Sequence, residues 1–275
     1  MLATYGSLLI ILVASCLVGQ ALFALCGRHE WSWLAPAVGL ALLTAVAWGT
    51  VRLPGQGTAS LITISALAVV ALVYLIGRVG ELGEAIRIGL PVAVLALLAA
   101  SLPFLVERRF GILGTGLNPD MSQHLFAADQ LAHGRGGVLL SQGYPLGPHA
   151  VVVAASKGSG ASLVHGFDGL TLAIAVAATL APLALVARFT AWRRVVCALL
   201  VGLPYMTASY LIQGAFKETM EALFVLAFAI GLHELARGAL TASGNSSGGA
   251  GRALGALPLA ALGVGAVYSY SLSSG

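Results

Sequence analysis

Asn118-Pro119-Asp120-Met121-Ser122-Gln123-His124 places an acid and an imidazole four residues apart, just after an Asn-Pro pair that favours a helix start. Residues four apart share one face of a helix. An Asp and a His so placed can take a proton from a hydroxyl or help to hold a divalent cation. Asp120 has a second reading, as a first-turn carboxylate favoured by the helix dipole. Spacing alone leaves both open. Asp129 and His133, also four apart, flank the other side of the same helix and read as a solvated face.

Two further segments carry reactive side chains. Gly143-Tyr144-Pro145-Leu146-Gly147-Pro148-His149 reads as an ordered turn leading into the apolar run 150–155. Its Tyr144 and His149 are either interfacial anchors with rings near the headgroups or the lining of a ligand pocket. Gln213-Gly214-Ala215-Phe216-Lys217-Glu218, with Glu221 one turn on, sets charges at a helix mouth, which is costly unless they are paired or face water. Lys217 either neutralises Glu221 or offers a cation to a phosphate-bearing substrate. His233 and Glu234 read as interfacial residues of the opposite membrane face.

The elements that must position these groups are apolar. The chain is 59% hydrophobic and 9% charged, with a mean hydropathy of +0.95, where soluble domains carry about 25% charge. A membrane span needs about 20 apolar residues. That ruler predicts an all-α, polytopic bundle of about eight spans, at roughly 7–26, 32–52, 58–77, 88–106, 169–187, 195–214, 219–236 and 252–272. The organisation expected is N-terminal transmembrane helices over 1–106, one large extracytoplasmic loop over 107–168, and C-terminal transmembrane helices over 169–275. Within the loop, a short amphipathic helix is expected from Asn118 to about His133, stopped by Gly134, with Met121, Leu125, Ala128 and Ala132 on its apolar face.

Orientation follows from arginines in short loops. Arg188, Arg193 and Arg194, and then Arg237 and Arg252, read as cytoplasmic. The long loop and the Lys217 turn, two spans apart, therefore share the extracytoplasmic face. No Lys or Arg precedes Arg28, so the first span reads as an uncleaved helix rather than a signal peptide, although Val13-Ala14-Ser15-Cys16 resembles a lipoprotein cleavage box. Cys16, Cys26 and Cys197 have neither metal-ligand nor redox spacing and read as small buried hydrophobes. The pI of about 9.2 reflects topology-setting arginines, not a nucleic-acid partner. The Gly/Ser-rich stretch 238–251 reads as a flexible cytoplasmic connector, where the acceptor pattern at Asn245 would be inert. No internal repeat of the kind that marks many transporters is visible.

Together, Asn118-Pro119-Asp120 with His124, Tyr144-Pro145-Leu146-Gly147-Pro148-His149, and Phe216-Lys217-Glu218 resemble the GT-C superfamily of membrane-embedded glycosyltransferases, over roughly residues 100–235. The resemblance implies a multi-pass enzyme of the bacterial plasma membrane. Such an enzyme transfers a sugar from a polyprenyl-phosphate donor to an envelope acceptor on the extracytoplasmic face, among membrane lipids. It implies that Asp120, with His124, is catalytic, activating the acceptor hydroxyl or binding a divalent metal (Mg or Mn). It implies that Tyr144 and His149 line the sugar or phosphate pocket, and that Lys217, beside Glu218, faces the lipid-linked phosphate. Such donors need no nucleotide pocket, and no Gly-rich dinucleotide or Walker pattern is present. Family members usually carry more than eight spans, and many place the acidic loop after the first helix, so a truncated member is expected. The alternatives are a transporter or flippase component, with Lys217, Glu218 and Glu221 along a substrate path, and a non-catalytic membrane fragment. Spans nearly free of charge at their centres favour the enzyme.

Overall fold

Long apolar runs leave the backbone one economical way to satisfy its polar groups in hydrocarbon, which is to form helices. The computed structural model describes residues 2–80, 82–115, 118–237 and 254–269, and every regular element among them is helical. In chain order these are α1 (Leu2–Leu25), α2 (Ala35–Thr50), α3 (Gly57–Leu75), α4 (Leu90–Val106, led in by a π turn), α5 (Asp120–Ala132), α6 (Gly137–Ser141) and α7 (Gly147–Ser159). They are followed by α8 (Leu163–Leu180, extended by a 3-10 turn), α9 (Ala191–Gly202), α10 (Tyr205–Ile212), α11 (Phe216–Ala236) and α12 (Leu257–Ser269).

Among the described residues, five helices are long and apolar enough to cross a membrane: α1, α3, α4 with its π turn, α8 with its 3-10 turn, and α11. This differs from the eight expected. α2 and α12 are apolar but run only 16 and 13 residues. The run expected as one span over 195–214 is two helices, α9 and α10, meeting at Leu203-Pro204. Pro204 has no N–H to continue the ladder and disfavours helical backbone before it, and Leu203 sits at φ −126°, ψ 54°. The connector 238–251 with Asn245, the ends of the 252–272 run, and Ser271–Gly275 lie outside the described residues.

Small residues set the closest packing. A Cβ on Gly19 of α1 would run into the Ala35 carbonyl, and one on Gly39 of α2 into the Ser15 carbonyl. α1 and α2 therefore touch backbone to backbone, the usual device where hydrocarbon offers no hydrophobic drive. α8 is the central post, with 94% of its apolar window buried. The outward faces of α3 and α4 expose Ile62, Val69, Val70, Leu98, Leu102 and Leu105, an apolar surface suited to lipid.

The segment 107–168 is not simply an outer loop. It contains α5 and α6, but also α7, whose residues Gly147 to Ser156 are all buried, and its last residues already form the start of α8. α7 packs among α1, α2, α3, α5 and α8. An apolar run of this length is too short to span and, being apolar all round, seeks the interior. At the far end of the bundle, Arg28 bonds Glu234 at 2.9 Å and Arg194 bonds Glu84 at 2.6 Å.

Candidate functional site

The chain leading into α5 is fastened to the bundle at several points. The Leu113 N–H donates to Asp168 Oδ1 at 3.0 Å, and the Thr4 hydroxyl donates to the Gly111 carbonyl at 2.9 Å. His165 Nδ1 lies 2.8 Å from that Thr4 oxygen and 3.0 Å from the Gly111 carbonyl. Gly114, at φ 70°, packs on Gln213–Gly214 so closely that a Cβ would enter the Gln213 carbonyl. The approach to α5 is thereby held beside the first turn of α11. Asn118 Oδ1 then accepts the Asp120 N–H at 3.0 Å, as a helix-starting Asn should, and Gly134 ends the helix at φ 69°. On α5, Met121, Ala127, Ala128 and Leu131 are buried; Leu125 and Ala132 of the expected face are half-buried.

Four of the predicted site residues, from three separate segments, join in one hydrogen-bonded chain. Lys217 Nζ donates to the Tyr144 hydroxyl at 3.1 Å and stands 4.5 Å from that ring's centre. The Tyr144 hydroxyl lies 3.2 Å from His124 Nδ1, and the same Nδ1 lies 3.1 Å from His149 Nε2. Phe167 and Phe216, 5.0 Å apart, wall in both imidazoles. Beside this chain a cleft of about 340 Å³ opens between α5, α6 and Tyr144, lined by Ser122, Gln123, Phe126, Ala127 and Leu139 as well. Nothing in the spacing of Ser122, Gln123 and Phe126 marks them as a site; they line the cleft together with Leu139 of α6.

The remaining site residues stand apart. Asp120 is exposed at the start of α5, close enough for its charge to act on His124 and Tyr144, but without a hydrogen bond to either. Glu218 is exposed and outside the chain. Lys217 does not pair with Glu221, whose Oε2 is buried without a partner among the described residues. His149 is not an interfacial anchor. It is fully buried, because it sits in the first turn of the inserted helix α7. Asp129 does belong to a solvated face, 3.2 Å from His133 and 3.6 Å from Arg135. Glu234 is buried in its pair with Arg28 rather than interfacial.

Burial governs the electrostatics. It pulls His124 down to about 4, with the Lys217 charge adding and the Asp120 charge opposing. His149 is pushed well below the usual imidazole range by burial, then by His124 and Lys217. The Pro145 carbonyl pulls the other way, without forming a hydrogen bond of good geometry to Nδ1. Tyr144 is raised by burial and then by the Asp120 charge. At neutral pH the site thus presents two neutral imidazoles and a neutral phenol. Such a group can bind an anion at the lysine and pass or hold a proton at the imidazole.

Among the described residues, no three His, Cys, Asp or Glu side chains gather as a metal cage. Asp120 has no second carboxylate bonded to it, so a cation held entirely by protein does not fit here. Comparison with protein-family models, with curated proteins and with solved structures finds no match for this chain.

Proposed function

We propose that the chain is a GT-C-type glycosyltransferase of the bacterial plasma membrane, moving a sugar from a polyprenyl-phosphate donor to an envelope acceptor on the extracytoplasmic face. One observation carries this reading: Lys217, Tyr144 and His124, from three distant segments, join in one hydrogen-bonded chain whose Tyr144 lines a cleft, within reach of the Asp120 charge. In the membrane, α2, the α9–α10 pair and α12 join the five long helices to make eight crossings, with α5, α6 and the mouth of α7 on the outer side.

The chemistry follows from where charge develops. Asp120 takes the proton of the acceptor hydroxyl, whose oxygen attacks the anomeric carbon. The bond from that carbon to the phosphate oxygen breaks, and the polyprenyl phosphate leaves with the electron pair. Lys217 would supply a cation to that growing anionic charge. The cleft, with Ser122 and Gln123 beside the exposed ring of Phe126, offers polar groups and an aromatic face to a sugar. Where a Mg or Mn ion is used, Asp120 would be the residue to hold it, and the ion would supply positive charge against the phosphate of the donor.

The test is sugar transfer by the full chain reconstituted in vesicles of bacterial lipid, with a polyprenyl-phosphate-linked hexose as donor. Asp120→Asn should lower the rate by about 10²–10⁴-fold, the usual weight of a general base. Asp129→Asn, on the solvated flank, should change it by less than about tenfold. Equal effects of the two would remove Asp120 from the reaction. Activity that survives exhaustive chelation leaves Asp120 as the base alone.

A further inference from the structure

We infer that a groove between α1, α2 and α3 seats one acyl chain of a phospholipid from the membrane leaflet at the Arg78 end, with that lipid's phosphate on Arg78. Such a site is independent of the sugar chemistry and of the orientation proposed above.

α3 closes on the bundle at one end only. At its start Gly57, Ser60 and Ile64 are buried, and the Ser60 hydroxyl lies 2.8 Å from that of Thr50 on α2. Gln56, just before the helix, accepts the Gly136 N–H at 2.9 Å. Toward the other end only Ala71 and Leu75 are buried, while Val69, Val70 and Val73 are exposed. There the three helices leave a groove of about 350 Å³, lined by apolar side chains and by Tyr74. It runs from Val18 to Leu25 on α1 and from Leu67 to Tyr74 on α3, with Leu42 and Val46 from α2. Seven residues of helix rise about 10 Å, and one leaflet holds about 15 Å of hydrocarbon. The groove therefore occupies the depth of a single leaflet, with its mouth at Tyr74.

Length and charge select the occupant. A helix from a second copy, about 10 Å across, needs a seam along the whole of α3, and the Thr50–Ser60 end is shut. One acyl chain needs only the half that is open. Hydrocarbon gives helices no drive to close on one another, so an empty groove costs its lining the contacts that a chain restores. At the mouth, the Arg78 guanidinium stands 4.6 Å from the centre of the Tyr74 ring, and its Nη1 donates to the Tyr74 carbonyl at 2.8 Å. This contact holds the cation over the residue that ends the groove. Arg78 is exposed, and among the described residues no carboxylate lies within salt-bridge distance of it. The Gly80 N–H donates to the His29 carbonyl at 2.9 Å, which ties the chain after α3 to the loop bearing Arg28, itself taken by Glu234. An arginine with donors to spare, set where chain meets headgroup, suits a lipid phosphate.

Native mass spectrometry of the full chain, released from nanodiscs of palmitoyl-oleoyl phosphatidylglycerol, reads the bound lipid directly. The wild type should keep one phospholipid after the surrounding lipid is stripped. Val70→Phe, which fills the groove from an exposed position, should lose it. Arg78→Gln leaves the groove open and should weaken phosphatidylglycerol binding by about tenfold, the loss of one charge-assisted contact. That variant decides the question even where Val70→Phe fails to fold. Dioleoylglycerol, which has chains but no phosphate, should bind the wild type as weakly as phosphatidylglycerol binds Arg78→Gln. A wild type that keeps no lipid, or retention unchanged in both variants, overturns the site. Dioleoylglycerol bound as tightly as phosphatidylglycerol overturns the phosphate contact. Val70→Cys, in a background lacking the native cysteines, should give no dimer with a bis-maleimide crosslinker in the same nanodiscs. A crosslinked dimer would assign the groove to a second copy and overturn the lipid.

Discussion

Replacing Lys217 by Met separates the two roles a lysine can have at this helix mouth. The structure gives Lys217 one polar partner, the Tyr144 hydroxyl at 3.1 Å, and a ring face at 4.5 Å, and among the described residues no carboxylate within salt-bridge distance. Met keeps most of the apolar stem. It forfeits a charged hydrogen bond worth about 1.5–3 kcal/mol and a cation–π contact of about 0.5–1 kcal/mol. It also removes a half-buried charge, a gain of similar size, so the net change in stability should stay within about 1 kcal/mol. A lysine paired with Glu221 would behave differently, since its loss would strand a buried carboxylate at a cost of about 3–5 kcal/mol. For the donor, one charge-assisted contact of about 1.5–3 kcal/mol converts to about 10- to 140-fold weaker binding. The assay is a farnesyl phosphate titration read by tryptophan fluorescence, with thermal unfolding of the same samples in detergent. Unchanged affinity together with a large fall in melting temperature would refute the phosphate role.

Two other outcomes follow from the same geometry. A cysteine placed at the exposed Ser141 of α6, in a background lacking the native cysteines, should be labelled by a membrane-impermeant maleimide added outside the cell, and one at the exposed His233 only after permeabilisation; the reverse pattern would invert the topology and with it the proposed reaction. Acid should destabilise the protein. His124 is held at about 4 against about 6.5 when unfolded, so the unfolded chain binds more protons between those values. Stability is complete above about pH 6.5 and falls toward pH 4, by up to ~3 kcal/mol from His124, with buried His149 acting in the same direction. Unfolding midpoints at about pH 7.5 and about pH 5 measure this, His124→Gln should flatten the difference, and a midpoint that rises on acidification would contradict the assignment.

Local signals in the sequence translated well into structure. Asn118 starts α5 by accepting the Asp120 N–H, and Gly134 stops it in the left-handed region. The long apolar runs became helices, since hydrocarbon leaves the backbone little choice. Signals that depend on a partner did not translate. A hydropathy window over 195–214 is continuous, yet Pro204 breaks it, because a window weighs side chains and ignores the missing N–H.

His149 shows why the site was legible as pieces and not as a chain. Its neighbours 150–155 are too few to span and carry no period, so from sequence they fit the interface as readily as the interior. What admits α7 to the bundle is a pair of glycines at its contacts. A Cβ on Gly147 would come within 2.6 Å of the Thr44 carbonyl, and one on Gly57 within 3.0 Å of the Leu131 carbonyl. Those bare positions let α7 lie against α2 and α5 against α3, and that insertion carries His149 under His124. Once it is there, His124 Nδ1 has partners on two sides. The chemistry of the site thus depends on a packing decision made by residues with no reactive groups at all.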